Sequence, residues 1–313
     1  MVKTAAPSRT VDEILSWYAG QNPGVLTNLY RILNHGRLAG TGKMVILPVD
    51  QGFEHGPTRS FAPNPDAYDP LYHFRLAIEA GCNAYAAPLG FLEAGAAEYA
   101  GQIPLILKLN NHDILHSETE PLGAQTATVD DALRLGCVGI GYTIYPGTMD
   151  RRLQYEQVME IAREAKSKGL VVVMWAYARG GDMGKDDETA LDTIAYSAHI
   201  AAQLGAHIIK VKLPSDHFMD QKSKDLMDRA GIPYGTLTDR VRYLVRAAFD
   251  GRRIVINSGG SAASDEVVFD QIRAIRDGGG FGSIIGRNSF QRPWDQAITF
   301  LQTLMDILAG KIE

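Results

Sequence analysis

The sequence predicts an α/β fold, a TIM (β/α)8 barrel with a helical N-terminal extension. Its 313 residues contain eight short apolar runs that are rich in Val, Ile and aromatic residues, and an amphipathic segment follows nearly every run. None of the runs has the long polar alternation that is typical of a solvent-facing antiparallel sheet. Eight parallel strands that alternate with helices over about 250 residues are the pattern of a closed barrel.

The eight apolar runs are each short enough to be a single buried strand. An open doubly wound sheet is the alternative architecture. It is disfavoured because no GxGxxG sequence follows the first strand, and because eight units are more than most such sheets contain. The predicted strands span residues 44–50, 83–90, 104–110, 137–145, 170–177, 207–213, 253–260 and 281–287.

The segments between the strands have helical periodicity and recognisable ends. Residues 128–136, for example, open with Thr128 as an N-cap and end on Gly136. Two amphipathic stretches within residues 1–35 predict the N-terminal extension. No linker or break in composition appears, so we predict one domain over residues 1–313, with the barrel strands in 44–287 and a C-terminal helix in 288–313. The other predicted helices span residues 69–81, 91–101, 150–169, 187–205, 236–251 and 264–279.

The composition excludes several classes of protein. A formal net charge of -5 offers no general attraction to nucleic acid or to an anionic membrane. No run approaches the roughly 18 apolar residues of a membrane span, and the N-terminus lacks the apolar core of a secretion signal. The two cysteines, Cys82 and Cys137, are too few for a zinc cluster and are expected to be small buried residues. We therefore expect a cytoplasmic protein that has no nucleic-acid or membrane partner.

Polar residues interrupt the apolar strands near their C-terminal ends, where a barrel enzyme has its active site. Lys210 and Lys212 are two residues apart in a strand, so their side chains leave the same face. Each polar residue alone could be structural, such as a lysine that snorkels between helices. Together they are hard to explain by core packing, which would use Val, Ile and Leu. The others are Asp50, Lys108, Asn110, Trp175, Tyr177, Arg179, Asn257 and Ser258.

This pattern favours the chemistry of an amine nucleophile. A lysine that is buried beside a second positive charge has a lowered pKa, because the neutral amine is then favoured. The neutral amine can attack a carbonyl group and form a Schiff base, which makes cleavage of a nearby C–C bond easier. The spacing does not decide between Lys210 and Lys212. Tyr177 and Asp50 are the candidate acid/base groups.

The last two predicted strands end in glycine-containing loops, at residues 257–262 and 286–290. Gly259, Gly260 and Gly286 would let the backbone approach an anion, and N–H groups at a helix start point towards it. The loops after strands seven and eight are the usual phosphate site of a barrel enzyme. A phosphate-binding site is therefore predicted there.

A catalytic metal is the alternative to a lysine nucleophile. His55 follows the first strand, and His112 and His116 are four residues apart. However, no HExxH motif, compact His/Asp cluster or cysteine ligand pair is present. We predict no metal and no other cofactor.

Seven motifs resemble the archaeal-type class I fructose-bisphosphate aldolases, and the bacterial branch of that family in particular. They occur in matching order, and the resemblance runs from about residue 25 to about residue 300. The motifs are "ILPVDQGFEHGP" (46–57), "PLILKLN" (104–110), "GYTIYPG" (141–147), "MWAYARGG" (174–181), "HIIKVK" (207–212), "INSGG" (256–260) and "IIGRN" (284–288).

The resemblance implies a phosphorylated sugar as substrate, and the reversible cleavage of fructose 1,6-bisphosphate to glycerone phosphate and glyceraldehyde 3-phosphate in glycolysis and gluconeogenesis. It assigns the Schiff base to Lys210 and acid/base catalysis to Tyr177, and Asp50 is expected to orient the substrate hydroxyl groups and to assist breakdown of the carbinolamine. Lys212 would then be the neighbour whose charge keeps the Lys210 amine unprotonated. The resemblance implies further substrate or phosphate contacts from Lys108, Trp175, Arg179, Lys212, Ser258, Gly259, Gly260, Gly286 and Arg287, with Lys108 and Arg179 towards the second phosphate.

Some properties stay open at this stage. Many relatives have histidine where this chain has Gln51, so any role of that histidine is absent. Related Schiff-base enzymes make 2-amino-3,7-dideoxy-heptulosonate, and another relative is a thiolase that acts on a phosphorylated signalling sugar. A phosphosugar-binding barrel without catalysis and a scaffold role are the non-enzymatic alternatives. The resemblance also implies a homo-oligomer, commonly a decamer of paired rings.

Overall fold

The computed structural model describes residues 9–116, 119–258 and 264–313. Eight parallel strands form a closed barrel, in which each strand pairs with its two neighbours along the chain and the last pairs with the first. The predicted barrel and all eight predicted strands are confirmed, with ends a few residues shorter at most strands. The strands are β1 (Met44–Pro48), β2 (Ala84–Pro88), β3 (Leu105–Lys108), β4 (Gly139–Ile144), β5 (Val171–Ala176), β6 (Ile208–Val211), β7 (Ile254–Ser258) and β8 (Gly282–Ile284).

The strands are buried almost throughout, because helices cover them outside and side chains fill the barrel inside. Closure is visible in the register of β1, where Met44 lies opposite Gly282 on β8 and Ile46 lies opposite Ala84 on β2. A short antiparallel ribbon, Asn110–Asn111 with Ala124–Gln125, follows β3 at the C-terminal end of the barrel.

The helices surround the barrel and have the predicted caps. Thr128 forms a capping box with Asp131, and Gly81 ends a helix in the left-handed conformation, with a φ of 82°. Two short 3₁₀ helices span Pro65–Tyr68 and Asp187–Thr189. The α-helices are α1 (Val11–Ser16), α2 (Pro23–Leu33), α3 (Gln51–Glu54), α4 (Pro57–Phe61), α5 (Pro70–Ala80), α6 (Leu89–Gly95), α7 (Val129–Arg134), α8 (Arg151–Ser167), α9 (Leu191–Gln203), α10 (Gln221–Arg229), α11 (Leu237–Ala247), α12 (Asp265–Asp277), α13 (Arg287–Phe290) and α14 (Trp294–Leu308).

Three of these helices, α3, α4 and α10, were not predicted, and the predicted C-terminal helix at residues 288–313 is divided into α13 and α14. Two of the three are only four or five residues long, which is too short for a periodic pattern. The third, α10, is longer but buries only Met227, so its sequence has no apolar stripe. The predicted helix at residues 187–205 is interrupted at Ala190, which separates the second 3₁₀ helix from α9.

The N-terminal extension lies at the N-terminal end of the barrel. Tyr18 donates a hydrogen bond to the His207 carbonyl oxygen at 2.6 Å and accepts one from the Ile254 N–H at 3.2 Å. Residues 1–8 of the predicted extension lie outside the described residues. The assignment of all 313 residues to one domain stays a prediction. In the described part of the chain, no helix is both long and apolar enough to cross a membrane.

Candidate active site

Four charged side chains meet at the C-terminal ends of β1, β3 and β6, and we call them the inner cluster. Asp50 follows β1, Glu54 ends α3, Lys108 ends β3 and Lys210 lies in β6. Lys108 is only 1% exposed and Lys210 only 5%. Because burying unpaired charges costs free energy, the contacts among these four groups decide what the cluster can do.

The Lys210 amine lies against two aromatic rings. Its Nζ is 5.3 Å from the centroid of the Trp175 ring and 5.4 Å from that of Tyr177. The pairing of β5 with β6, which places Trp175 beside Lys210, produces this contact. Trp175 Nε1 is buried without a hydrogen-bond partner among the described residues, so one donor is left for a ligand.

The surroundings of Lys210 favour a neutral amine near physiological pH. Burial lowers the pKa of Lys210 to about 8. The carboxylates of Asp50 and Glu54 oppose this decrease, and the positive charges of Lys108 and Arg287 add to it. An amine with such a pKa is a nucleophile in an appreciable fraction of molecules, whereas an ordinary lysine is not.

Lys212 follows the end of β6 and has a different environment from Lys210, although the two residues are only two positions apart. Its Nζ donates a hydrogen bond to Glu188 Oε2 at 2.7 Å. The main positive neighbours of Lys210 are Lys108 and Arg287, and Glu188 binds the Lys212 ammonium and compensates its charge. That Lys212 helps to keep the Lys210 amine unprotonated therefore stays a prediction.

Lys108 joins the two carboxylates of the inner cluster. Its Nζ is 3.4 Å from Asp50 Oδ2 and forms a second ion pair with Glu54 Oε1. Asp50 and Glu54 reach the same ammonium because they begin and end one helical turn, in which the Glu54 N–H donates to the Asp50 carbonyl oxygen at 3.1 Å. The charge of Lys108 is therefore compensated inside the barrel.

The two carboxyl groups differ in their tendency to hold a proton. Burial acts to raise the pKa of Asp50, but Lys108 and Lys210 outweigh it and hold that pKa below its usual value. Burial raises the pKa of Glu54, and Asp50 adds to the increase that Lys108 opposes. The cluster thus combines an ionised Asp50 with a Glu54 that retains a proton more readily.

Tyr177 places a neutral phenol beside the Lys210 amine. Burial raises the pKa of Tyr177 well above its usual value, and the negative charges of Asp50 and Glu54 add to that increase. A phenol that stays protonated can donate a proton or a hydrogen bond to a reacting group.

A second set of positive charges, Arg179, Lys185 and Lys212, forms what we call the rim. Lys212 is within electrostatic range of the other two, and Glu188 accepts hydrogen bonds from both lysines. Arg179 Nε is buried without a hydrogen-bond partner among the described residues. The two lysines share one carboxylate partner and Arg179 adds a third positive charge, so the rim is suited to an anion.

The predicted phosphate loops lie at the ends of β7 and β8, and the structure describes one of them. Ser258 ends β7, whereas Gly259 and Gly260 lie outside the described residues. At Gly286, an added Cβ would lie 2.8 Å from the Pro48 carbonyl oxygen, so the close approach of these two backbone segments requires glycine. Arg287 begins α13 and is exposed.

Comparison with known proteins decides the family. A family model described as "DeoC/LacD family aldolase" matches residues 44–292, which include all eight strands and every residue of the inner cluster. The chain belongs to the DeoC/LacD aldolase family. The motifs predicted a resemblance to class I fructose-bisphosphate aldolases, and the relatives of this chain confirm it.

Two curated relatives and one solved structure are similar over most of their length. "Probable fructose-bisphosphate aldolase class 1" of Chlamydia trachomatis is 37% identical over 297 residues, which cover 92% of this chain and 85% of the relative. "Fructose-bisphosphate aldolase class 1" of Thermoproteus tenax is 34% identical, with 86% and 90% covered. The solved structure is that of an archaeal fructose-1,6-bisphosphate aldolase with its catalytic lysine covalently bound to the carbinolamine intermediate. It matches with a TM-score of 0.73 and 33% identity, over 86% of this chain and 95% of the solved chain.

Sequence reasoning missed Glu54 as a site residue of this DeoC/LacD aldolase. The residue appeared only as part of a motif, although its spacing from Asp50 was a usable signal. Two carboxylates four residues apart share one face if a helix follows the strand directly.

Further buried polar atoms have no hydrogen-bond partner among the described residues and lie on the strands or loops that carry the site: Gln51 Oε1, Thr143 Oγ1 and Asn257 Oδ1.

The histidines weighed as metal ligands do not form a cluster in the described part of the chain. No group of three or more His, Cys, Asp or Glu side chains there could hold a metal ion. His112 contacts the Tyr145 ring, with 6.4 Å between ring centroids. His55 is within electrostatic range of Arg287, and burial together with that positive charge lowers its pKa.

Proposed function

We propose that the protein is a class I aldolase that reversibly cleaves fructose 1,6-bisphosphate to glycerone phosphate and glyceraldehyde 3-phosphate, in glycolysis and gluconeogenesis. The observation that carries the proposal is the Lys210 amine, which is buried beside Trp175 and Tyr177 and has a pKa of about 8. The names of the relatives support the choice of substrate, since a Schiff-base lysine alone would serve many ketoses.

In this proposal the Lys210 amine attacks C2 of the open-chain ketose to give a carbinolamine, and loss of the C2 oxygen as water leaves an iminium ion. The iminium accepts the electron pair of the breaking C3–C4 bond, so the first product stays on Lys210 as an enamine. In cleavage the ionised Asp50 binds and orients the substrate hydroxyl groups and takes the proton of the C4 hydroxyl group as the bond breaks, and the neutral phenol of Tyr177 donates a proton to C3 of the enamine. Transfer of the proton from Asp50 to Tyr177 then restores both groups.

The two phosphate groups would bind at the two sets of groups that flank Lys210. We assign one phosphate to the loops after β7 and β8, through the backbone of Gly259, Gly260 and Gly286 and the side chains of Ser258 and Arg287. We assign the other to Arg179 and Lys212 of the rim. Trp175 would donate its free N–H to the substrate. Lys108, which was predicted near the second phosphate, would instead hold the carboxylates of the inner cluster, because both of its ion pairs lie there.

The test combines a coupled assay with covalent trapping. Cleavage of fructose 1,6-bisphosphate is measured through reduction of the glycerone phosphate that is released. Borohydride is then added to enzyme and substrate, and the modified peptide is identified by mass spectrometry. We expect turnover and one reduced adduct, on Lys210. Turnover with an unmodified Lys210 would contradict the proposed mechanism, and tight sugar binding without turnover would favour a non-catalytic phosphosugar-binding barrel.

We also propose that the reaction is independent of metal, because the Lys210 iminium is the electron sink that a metal would otherwise provide. Dialysis against EDTA should leave the rate of cleavage unchanged. Loss of activity that is restored by a divalent cation would support the metal alternative.

We propose that the protein is located in the cytoplasm and forms a homo-oligomer. Two cysteines that are buried and unpaired, Cys82 and Cys137, support a reducing compartment.

Outside the barrel, Met149 and Tyr196 are 75% and 67% exposed and line a cavity of about 1110 Å³ between α8, α9 and α11. Large exposed apolar side chains around one depression are typical of an interface. Light scattering after gel filtration measures the number of subunits.

A further inference from the structure

Two cations and a histidine lie together at the N-terminal end of the barrel, opposite the inner cluster, and we call them the basal group. His207 directly precedes β6, Arg253 directly precedes β7, and Lys166 lies in the last turn of α8. His207 is within electrostatic range of both cations, and the two cations are within range of each other. The three side chains therefore form one compact set.

The imidazole ring of His207 has an unused hydrogen-bond donor. The Val172 N–H donates to its Nδ1 at 2.9 Å, and burial lowers the pKa of His207 to about 3, so the ring is neutral and its one proton is on Nε2. His207 is only 1% exposed, and its Nε2 has no hydrogen-bond partner among the described residues. Because a buried N–H without an acceptor costs free energy, this atom calls for an acceptor that the described chain does not supply.

Arg253 has a second unused donor in the basal group. Its Nε is buried and has no partner in the described part of the chain, whereas its Nη1 donates to the Arg252 carbonyl oxygen at 2.8 Å. The guanidinium carbon lies 5.2 Å from the centroid of the Tyr18 ring and 4.8 Å from that of Phe249. These two rings hold the guanidinium in place, so the free Nε–H has a fixed direction.

The positive charge of the basal group has no counter-charge beside it. Burial and the charge of Arg253 lower the pKa of the half-buried Lys166, and no carboxylate among the described residues opposes that decrease. The neighbouring carboxylates have other partners: Glu164 pairs with Lys168, and Asp250 with Arg246. Two partly buried cations without a carboxylate are costly, and a bound anion would remove that cost.

We propose that the basal group binds a small oxyanion such as inorganic phosphate. The His207 Nε2–H, the Arg253 Nε–H and the Lys166 ammonium are all donors, and ionised phosphate oxygens are acceptors for such charge-assisted hydrogen bonds. The anion would join β6, β7 and α8 at the place where Tyr18 anchors the N-terminal extension, so its binding should stabilise the folded protein. This inference does not depend on the proposed function, because the site lies at the other end of the barrel.

The first test counts phosphate sites by equilibrium dialysis with radiolabelled inorganic phosphate. The active site is also expected to bind phosphate, so the difference between variants gives the result. R253M should bind one phosphate fewer per chain than the wild type. R252M is the matched control, because Arg252 is the exposed neighbour with the same charge, and it should bind as many as the wild type. Turnover should be the same in both variants.

A second pair of variants tests the basal group without removing the guanidinium that packs on Tyr18. K166M should weaken phosphate binding at this site roughly 10- to 150-fold, the value of a hydrogen bond to a charged group. K168M changes the net charge equally, but the Lys168 ammonium pairs with Asp130 and Glu164, so its phosphate binding should be unchanged. If R253M does not fold, this pair decides the question. Equal binding by K166M and K168M overturns the inference.

Thermal unfolding provides an independent measurement. Phosphate that binds only the folded state should raise the Tm of the wild type and R252M by more than that of R253M. The inference fails if potassium chloride of equal ionic strength raises the Tm as much, because the cations then attract any anion. Glycerol 3-phosphate in place of phosphate distinguishes the source of the anion: a larger Tm increase in R252M than in R253M shows that the site also accepts the phosphate group of a metabolite.

Discussion

Two lysines at opposite ends of the barrel have pKa values lowered to about 8, but only one lies where a substrate can be processed. Lys43 precedes β1 at the N-terminal end, and burial together with the charge of Arg9 lowers its pKa. Its Nζ donates to the Gly280 carbonyl oxygen at 2.7 Å. Lys210 lies near the C-terminal end of β6, against two aromatic rings and near two carboxyl groups.

We infer from the comparison that a lowered pKa alone does not make a nucleophile. Lys43 has a carbonyl oxygen as its partner and contributes to the structure, as do Tyr18 and Asn83, whose side chains bond to backbone groups at the same end. Lys210 is surrounded by groups that can move protons, and Trp175 Nε1 and Arg179 Nε are left without partners nearby among the described residues. Polar groups at the N-terminal end of a barrel stabilise it, whereas those at the C-terminal end react.

The largest effect is expected for K210M. Loss of the amine removes the Schiff base, so cleavage should fall by about 10⁴-fold or more, as when other covalent nucleophiles are removed. K43M is the matched control, since it removes a buried lysine of similar pKa at the other end, and its rate should stay close to that of the wild type. The coupled assay and borohydride trapping measure both. A reduced adduct on Lys43 or Lys212 would show that the nucleophile is misassigned.

Replacement of Tyr177 by phenylalanine should slow turnover without preventing covalent trapping. The phenol transfers protons at the reacting carbons, which is typically worth 10²- to 10⁴-fold in rate. The lysine amine is unaffected, so borohydride should still reduce an adduct on Lys210. If Y177F abolishes trapping as well, Tyr177 acts earlier, in Schiff-base formation.

K212M tests whether the rim binds substrate rather than taking part in the chemistry. A hydrogen bond to a charged group contributes about 1.5–3 kcal/mol, so kcat/KM should fall roughly 10- to 150-fold. The loss should be mostly in KM, and the pH at which Lys210 becomes reactive should stay the same, because Lys212 is bound by Glu188. A change in that pH would support the prediction that the charge of Lys212 helps to keep the Lys210 amine unprotonated.

The pH dependence of iminium formation reports the pKa of Lys210. The neutral amine is the reactive form, so the rate should fall by about tenfold for each pH unit below about 8. Single-turnover trapping over the pH range measures this acid limb. An acid limb near the ordinary lysine value of about 10.4 would contradict the effect of burial.

The smallest effect on catalysis is expected for Y18F. The variant loses the hydrogen bonds to the His207 carbonyl oxygen and from the Ile254 N–H, which should lower the free energy of unfolding by about 1–3 kcal/mol. Turnover at 25 °C should be unchanged, because Tyr18 lies at the N-terminal end. Denaturant unfolding and the coupled assay measure the two quantities. A large loss of turnover would contradict the division of roles between the two ends.

The fold could be predicted well because its signals are local. Strands such as residues 170–177 are apolar over their whole length, and helix ends such as Thr128 and Gly81 satisfy backbone groups within a few residues. Prediction failed where the local signal was weak or conditional. The helix α10 has only one buried residue, and Glu54 joins Asp50 only because a single helical turn follows β1 directly.

By itself the sequence determined the eight strands, the positions of the polar residues at their ends and, through its motifs, the family, from which Lys210 is proposed as the nucleophile. Only the tertiary structure decided the partner of each charged group: Glu188 for Lys212, and Asp50 and Glu54 for Lys108. Periodicity fixes the face from which a side chain leaves a strand, but an ion pair depends on distances between elements that are far apart in sequence. The pKa values of the inner cluster follow from those distances and from burial, so they could not be derived before the barrel was closed.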